Sequence, residues 1–73
     1  MTKTEFLVEM QDVLQTETEL TPDTVLADLD EWDSLSIMAT MAFLDKHFGV
    51  KMKLADFKEI NDFGELMDKL PLS

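Results

Sequence analysis

Apolar residues recur with helical spacing along most of this chain, and one long stretch between them keeps no period at all. Phe6, Leu7, Met10, Val13 and Leu14 share a face, with Glu9, Gln11, Asp12 and Gln15 around the rest, predicting a first helix over about residues 3–16. Thr2-Lys3-Thr4-Glu5 opens it as a capping box, with Thr2 as N-cap and Glu5 at the third helical position. A second helix is predicted from Ser34 to Phe48, closed by Gly49 in a left-handed cap, with Lys46 and His47 near its negative end. At about 100° per residue, Ile37, Met38, Met41, Leu44 and Phe48 form its core face. Leu35, Ala39, Ala42 and Lys46 form a second, outward face, which carries apolar atoms where a solvated helix carries charge and so reads as a partner surface.

Val50-Lys51-Met52-Lys53-Leu54 alternates like a strand but has no second strand to pair with, so it reads as an extended connector. A short third helix over 55–60 carries Leu54, Phe57 and Ile60. Asn61 or Asp62 then caps a last helix bearing Phe63, Leu66, Met67 and Leu70, stopped by Pro71. The expected fold is an all-α four-helix bundle, three longer helices plus one short, as one domain over residues 1–73. Between the first two helices, Glu17 to Trp32 is aperiodic. Thr21-Pro22-Asp23 is turn chemistry, and Leu20, Val25, Leu26 and Leu29 are scattered anchors. Structureless connections longer than about 12–15 residues are uncommon in compact domains and tend to be functional. This one delivers the chain to Ser34.

At that junction Asp33 is a good N-cap, and Trp32 before it suits a hydrophobic staple against Ile37 or Met38. Ser34 takes the first helical position, outside the apolar stripe. A phosphate on its hydroxyl would lie at the positive end of the helix dipole, beside unpaired N–H donors. Ser34 is thus a candidate attachment point for a phosphate-linked group, although a serine there more commonly serves only as a local cap.

Composition narrows the chemistry. There is no cysteine, hence no disulfide, thiolate metal site or cysteine nucleophile. No apolar run reaches membrane-spanning length and the N-terminus lacks a signal-peptide pattern, so a cytoplasmic protein is expected. Sixteen acids against six lysines, with no arginine, give a net charge of −10. That field disfavours nucleic acid and anionic lipid and favours basic patches on other proteins. Catalysis is hard to build. The only histidine, His47, is thirteen residues past Ser34, about 20 Å along the same helix, out of reach as a general base. Asp28, Asp30 and Asp33 superficially resemble a calcium loop, but the turn glycine is missing and Ala39 stands where a bidentate glutamate belongs. Gly49 and Gly64 are the only glycines, so no glycine-rich phosphate loop exists. From residues alone, an acidic helical interaction module without a prosthetic group is the alternative reading.

Over nearly its whole length the sequence resembles the acyl carrier protein family. Asp33-Ser34-Leu35 is similar to the family's attachment motif, and Leu29 with the acidic loop, Phe48-Gly49-Val50, the Asp56 region and Phe63-Gly64-Glu65-Leu66 fall at comparable places. The resemblance implies a non-enzymatic carrier whose Ser34 receives 4′-phosphopantetheine from coenzyme A through a phosphopantetheinyl transferase. The arm's thiol would hold acyl or aminoacyl groups as thioesters. It implies partners with basic patches, including an acyl- or aminoacyl-activating ligase and downstream enzymes, meeting a monomeric carrier at Asp28, Asp30, Glu31, Asp33, Leu35, Ser36, Ala39, Ala42 and Asp56. Met38, Met41, Met52 and Met67 are adaptable side chains for an apolar cleft around a bound acyl chain. Two departures stand out: carriers of bacterial fatty-acid synthesis bear acids where this chain has Ser36 and Ala39, and Lys46 reverses a charge near the helix end. The Trp-Asp-Ser-Leu form resembles discrete carriers of specialised pathways such as nonribosomal peptide, polyketide or surface-polysaccharide assembly.

The charge imbalance yields a direct expectation. Added salt should raise the melting temperature by screening self-repulsion, and a midpoint indifferent to ionic strength in a thermal melt would contradict it.

Overall fold

The computed structural model describes residues 1–72. Its helices are α1 (Lys3–Leu14), α2 (Ser34–Phe48), α3 (Leu54–Lys58) and α4 (Phe63–Met67), with one 3-10 turn, Leu26–Asp28, in the loop after α1. α2 is the centre of the bundle and packs against both α1 and α3. Among the described residues no strand forms; one antiparallel bridge joins Val25 to Asp62.

α1 starts as its sequence predicts. Glu5 N–H donates to Thr2 Oγ1 at 3.1 Å and Thr2 N–H to Glu5 Oε1 at 3.0 Å. Phe6, Met10 and Leu14 are buried at four-residue spacing. The helix ends before residue 16 because Gln15 adopts the left-handed conformation, φ 53°, and its N–H closes onto the Asp12 and Gln11 carbonyls. Thr16 is thereby turned into the interior, where its hydroxyl accepts from Thr18 N–H at 3.1 Å.

The long loop is bound down by its anchors and by its backbone. Leu20, Leu26 and Leu29 are buried, whereas Val25 stays partly exposed. Leu26 N–H donates to Asn61 O at 2.9 Å, Phe63 N–H to Thr24 O at 3.2 Å and Gly64 N–H to Pro22 O at 2.8 Å. Gly64 allows that last approach, since a Cβ there would lie only 3.2 Å from the Pro22 carbonyl oxygen. The 3-10 turn escapes hydropathy patterning because a single turn has too few residues to show a period.

α2 keeps its predicted limits, and Gly49 ends it at φ 67°. Its buried face is rotated from the predicted one. Leu44 and Thr40 are fully buried, Ile37, Met41 and Phe48 flank them, and Met38 is 64% exposed. Met38 lies two residues from Thr40, about 200° around the helix, on the solvent side. A threonine can occupy the core position because its hydroxyl donates to Ser36 O at 2.8 Å, leaving no buried polar atom unpaired. Phe43, which the wheel left unplaced, joins Phe6 and Phe48 in an aromatic cluster with centroids 6.1–6.3 Å apart.

After α2 the chain runs extended, as expected, and the last two helices are both short. α3 begins at Leu54, one residue earlier than predicted, with Lys53 N–H donating to Asp56 Oδ2 at 2.8 Å. α4 is capped by Asp62, which accepts from Glu65 N–H at 2.9 Å. Beyond Met67 the bonds tighten to i→i−3, from Lys69 N–H to Leu66 O and from Leu70 N–H to Met67 O, so Leu70 reaches the core without further α-helix. The bundle therefore has two long helices and two short ones rather than three long and one short.

Leu26, 1% exposed, ties the loop to the core. Leu26→Ala should cost about 2–5 kcal/mol, a large share of a small domain's stability. A urea midpoint close to wild type would show that the loop is not part of the cooperative core.

Candidate functional site

The start of α2 is held by a hydrogen-bond network centred on Ser36. Ser36 N–H donates to Asp33 Oδ1 at 2.9 Å, and Asp33 N–H donates to Ser36 Oγ at 2.8 Å, so residues 33 and 36 form a reciprocal capping box. The Ser36 hydroxyl proton has its shortest acceptor in Glu31 O, 2.6 Å away. Ser36 therefore stitches the acidic loop to the helix. The sequence carried this signal weakly, because a serine replaces the usual Glu or Gln at the third helical position.

Asp33 has its carboxyl held below the usual carboxylate range, first by the Ser36 N–H bond, with smaller help from the Ser36 hydroxyl and Leu35 N–H. It is ionised at neutral pH and complements the helix dipole.

Ser34, by contrast, is exposed, and its hydroxyl makes none of the side-chain hydrogen bonds found among the described residues. Leu35 beside it is 78% exposed. Ala39 and Ala42 continue that outward face as predicted, and the exposed Met38 adds to it. A phosphate-linked group fits here: the hydroxyl is unshielded, uncommitted, and set at the positive end of a fifteen-residue helix.

Two depressions draw on residues near the start of α2, and Ser34 lines neither. Glu31, Asp33, Leu35, Ser36 and Ala39 line a groove with Val13 and Leu14 of α1 and its C-cap Gln15. On the other side, Trp32 and Ile37 line an apolar cavity of about 220 Å3 with Leu26, Leu54, Phe57 and Ile60. Trp32 and Ile37 line the same cavity, which Met38 does not, and the Trp32 ring meets that of Phe57 with centroids 5.9 Å apart. None of the four methionines suggested for a cleft lines this cavity: Met52 and Met67 are core, Met41 is half-buried and Met38 faces outward. Asp28, Asp30 and Asp56 are exposed and line neither depression; the Asp56 carboxylate accepts from the N–H of Lys53, the N-cap of α3. The groove's α1 residues escaped sequence reasoning because nothing local to Val13 or Gln15 shows that they meet the loop. His47 is exposed at the end of α2, its ring 4.4 Å from that of Phe43. Among the described residues no group of three or more His, Cys, Asp or Glu is placed to hold a metal ion, and no helix is long and apolar enough to cross a membrane.

Fold and site together define a small helical bundle that displays one free hydroxyl at the mouth of its central helix. The chain belongs to the phosphopantetheine attachment site family, whose model matches residues 5–70. The solution structure of a holo acyl carrier protein from Geobacter metallireducens is similar, with TM-score 0.70 and 29% identity over 88% of this chain and 75% of that one. No curated protein matches the chain in sequence. The chain is therefore a phosphopantetheine-bearing acyl carrier protein and not an enzyme, and its family works with phosphopantetheinyl transferases and acyl-handling enzymes.

The Asp33 cap has a pH signature. Because its pKa is lowered on folding, its contribution is complete above the unfolded carboxylate value and fades as pH falls through the folded one. The melting-temperature gap between wild type and Asp33→Ala should be widest near pH 7 and narrow as pH falls below the ordinary aspartate range. A constant gap would show that ionisation of Asp33 is irrelevant to the cap.

Proposed function

We propose that Ser34 carries the 4′-phosphopantetheine arm and that the protein ferries acyl or aminoacyl thioesters in a specialised biosynthetic pathway. The supporting observation is the contrast between two serines: Ser36 is consumed by the cap, while Ser34 is exposed and unbonded. In the modification, Ser34 Oγ gives up its proton to the transferase and bonds to the pyrophosphate phosphorus of coenzyme A. The P–O bond to the departing adenosine 3′,5′-bisphosphate breaks, and a phosphodiester remains on the helix. The arm supplies a thiol for thioester chemistry, which a chain without cysteine lacks. Asp33 keeps the first turn of α2 in place, and the cavity behind Trp32 offers the tethered group apolar cover.

The partner surface consists of Leu35, Ala39 and Ala42 on α2, with the acids Asp28, Asp30, Glu31 and Asp33 before it and Asp56 after it steering basic patches. The ligand set comprises the transferase, an activating ligase and the enzymes that follow, in the cytoplasm. Ser36 and Ala39 support a pathway apart from housekeeping fatty-acid synthesis. α2 offers no acid at those positions, and a partner gripping it by arginines or lysines there would find none.

Intact mass after incubation with coenzyme A, magnesium and a broad-specificity phosphopantetheinyl transferase tests the assignment. Wild type should gain one arm and Ser34→Ala none. Modification of Ser34→Ala would move the attachment point to another residue, and an unmodified wild type would favour the prosthetic-group-free interaction module. Charging of the holo protein by a fatty-acid malonyl transferase should be slow beside that pathway's own carrier, and matched rates would remove the case for a separate pathway.

A further inference from the structure

One methionine stands apart from the packing that accounts for the others. Of the six, Met10, Met52 and Met67 are buried in the core and Met41 is half-buried against it. Met1 is 38% exposed ahead of α1, and Met38, at 64%, is the most exposed of all. Met38 lines neither depression near the start of α2 and has no place in the core cluster.

Its position on the helix gives that exposure a consequence. Ser34 and Met38 are four residues apart on α2, so they share a face with Cβ atoms about 5–6 Å apart. Helical side chains lean towards the N-terminus of their helix, so the Met38 thioether covers the turn that Ser34 opens. Leu35, Ala39 and Ala42 are exposed on the same side, and α2 carries no acid before Asp45. The face beside the serine therefore offers apolar contact and no charge of its own.

A thioether is a nucleophile towards hydroperoxides. A sulfur lone pair bonds to one peroxide oxygen, the O–O bond breaks, and the other oxygen takes up the proton and leaves, as water when the oxidant is hydrogen peroxide. The sulfur is oxidised to the sulfoxide by two electrons and the peroxide is reduced by two. A peroxide reaches an exposed sulfur directly and a buried one only when the fold opens, which singles out Met38 and, away from the serine, Met1. Phe6 packs on Phe43 and Phe48, so the start of α1, with Met1, lies towards the far end of α2 from Ser34. The product at residue 38 is a polar acceptor where an apolar group stood, and pressing it dry against an apolar surface opposes docking.

We propose that Met38 is a redox-sensitive modification site: its oxidation to the sulfoxide by a hydroperoxide turns the face beside Ser34 polar and weakens docking of the enzyme that acts there, and reduction restores it. The proposal rests on the reading of Ser34 as the attachment serine, and the experiment separates the two. Protein without its arm is treated with hydrogen peroxide, the peroxide is removed, and the oxidised residues are located by peptide mass. Transferase kinetics with coenzyme A are then followed by mass gain, for wild type and for Met38→Leu, each against its own untreated form. Met38→Leu keeps every other methionine, so it reports oxidation anywhere else.

Oxygen should appear on Met38 and Met1 before Met10, Met52 or Met67. Oxidised wild type should show KM raised about tenfold, the scale of one polar group left unpaired at a contact, with kcat and melting midpoint unchanged. Methionine sulfoxide reductases for both epimers should return KM to its starting value, a dithiol becoming a disulfide as the oxygen leaves in water. Peroxide should move the KM of Met38→Leu by less than about twofold, as for surface changes away from a contact. Earlier oxidation of a buried methionine, or a fall in melting midpoint alongside the KM change, would make the effect structural and overturn the proposal. An unchanged KM with Met38 oxidised, on a wild type that is fully modified, would overturn it alone. Failure of untreated wild type to be modified would overturn the Ser34 reading and the proposal with it.

Discussion

The reciprocal pair between Asp33 and Ser36 is the constraint on which the functional end of this molecule depends. Two bonds of 2.8–2.9 Å fix where α2 begins, and a third, from Ser36 Oγ to Glu31 O, fixes how the loop arrives. With that start defined, Trp32 is directed to the Phe57 side and the Glu31 and Asp33 carboxylates to the α1 side. Ser34 is left between them with nothing to hold. No other local feature controls so many groups at once.

The rest of the fold supports that junction indirectly. α3 and α4, five residues each, are far too short to persist alone. They are held by Phe57, Ile60, Phe63, Leu66 and Met67 in the core, and by backbone bonds from the long loop to Asn61, Phe63 and Gly64. The loop and the two short helices are thus one packed unit laid against α2. The cavity behind Trp32 lies where that unit meets α2, with a wall drawn from elements at the low end of local stability.

Much of this was legible in the sequence, and the exceptions share a cause. Caps and stops depend on nearest neighbours, so the Thr2–Glu5 box, the α2 limits and the Gly49 terminator could be read directly. The rotation of the α2 face could not, because Thr40 looks polar until its hydroxyl is seen bonded to Ser36 O within its own helix. The extent of α4 was overestimated because Leu70 keeps the apolar spacing while the backbone has already tightened. At the site, Asp33 could be read as a cap from position, whereas Ser34 stood out as an attachment candidate only when the family resemblance was added to its place. The Trp32–Phe57 contact and the Val13–Gln15 side of the groove come from residues distant in sequence, which no local pattern records.

Ser34 and Ser36 are the same side chain two positions apart, yet they present different faces to any reagent. One has its proton and a lone pair committed inside the chain; the other makes no side-chain hydrogen bond among the described residues. If Ser34 is the residue modified, discrimination between them is written into the carrier rather than left wholly to the modifying enzyme. At the mouth of α2, a catalyst that needs an accessible alcohol would find one and not two.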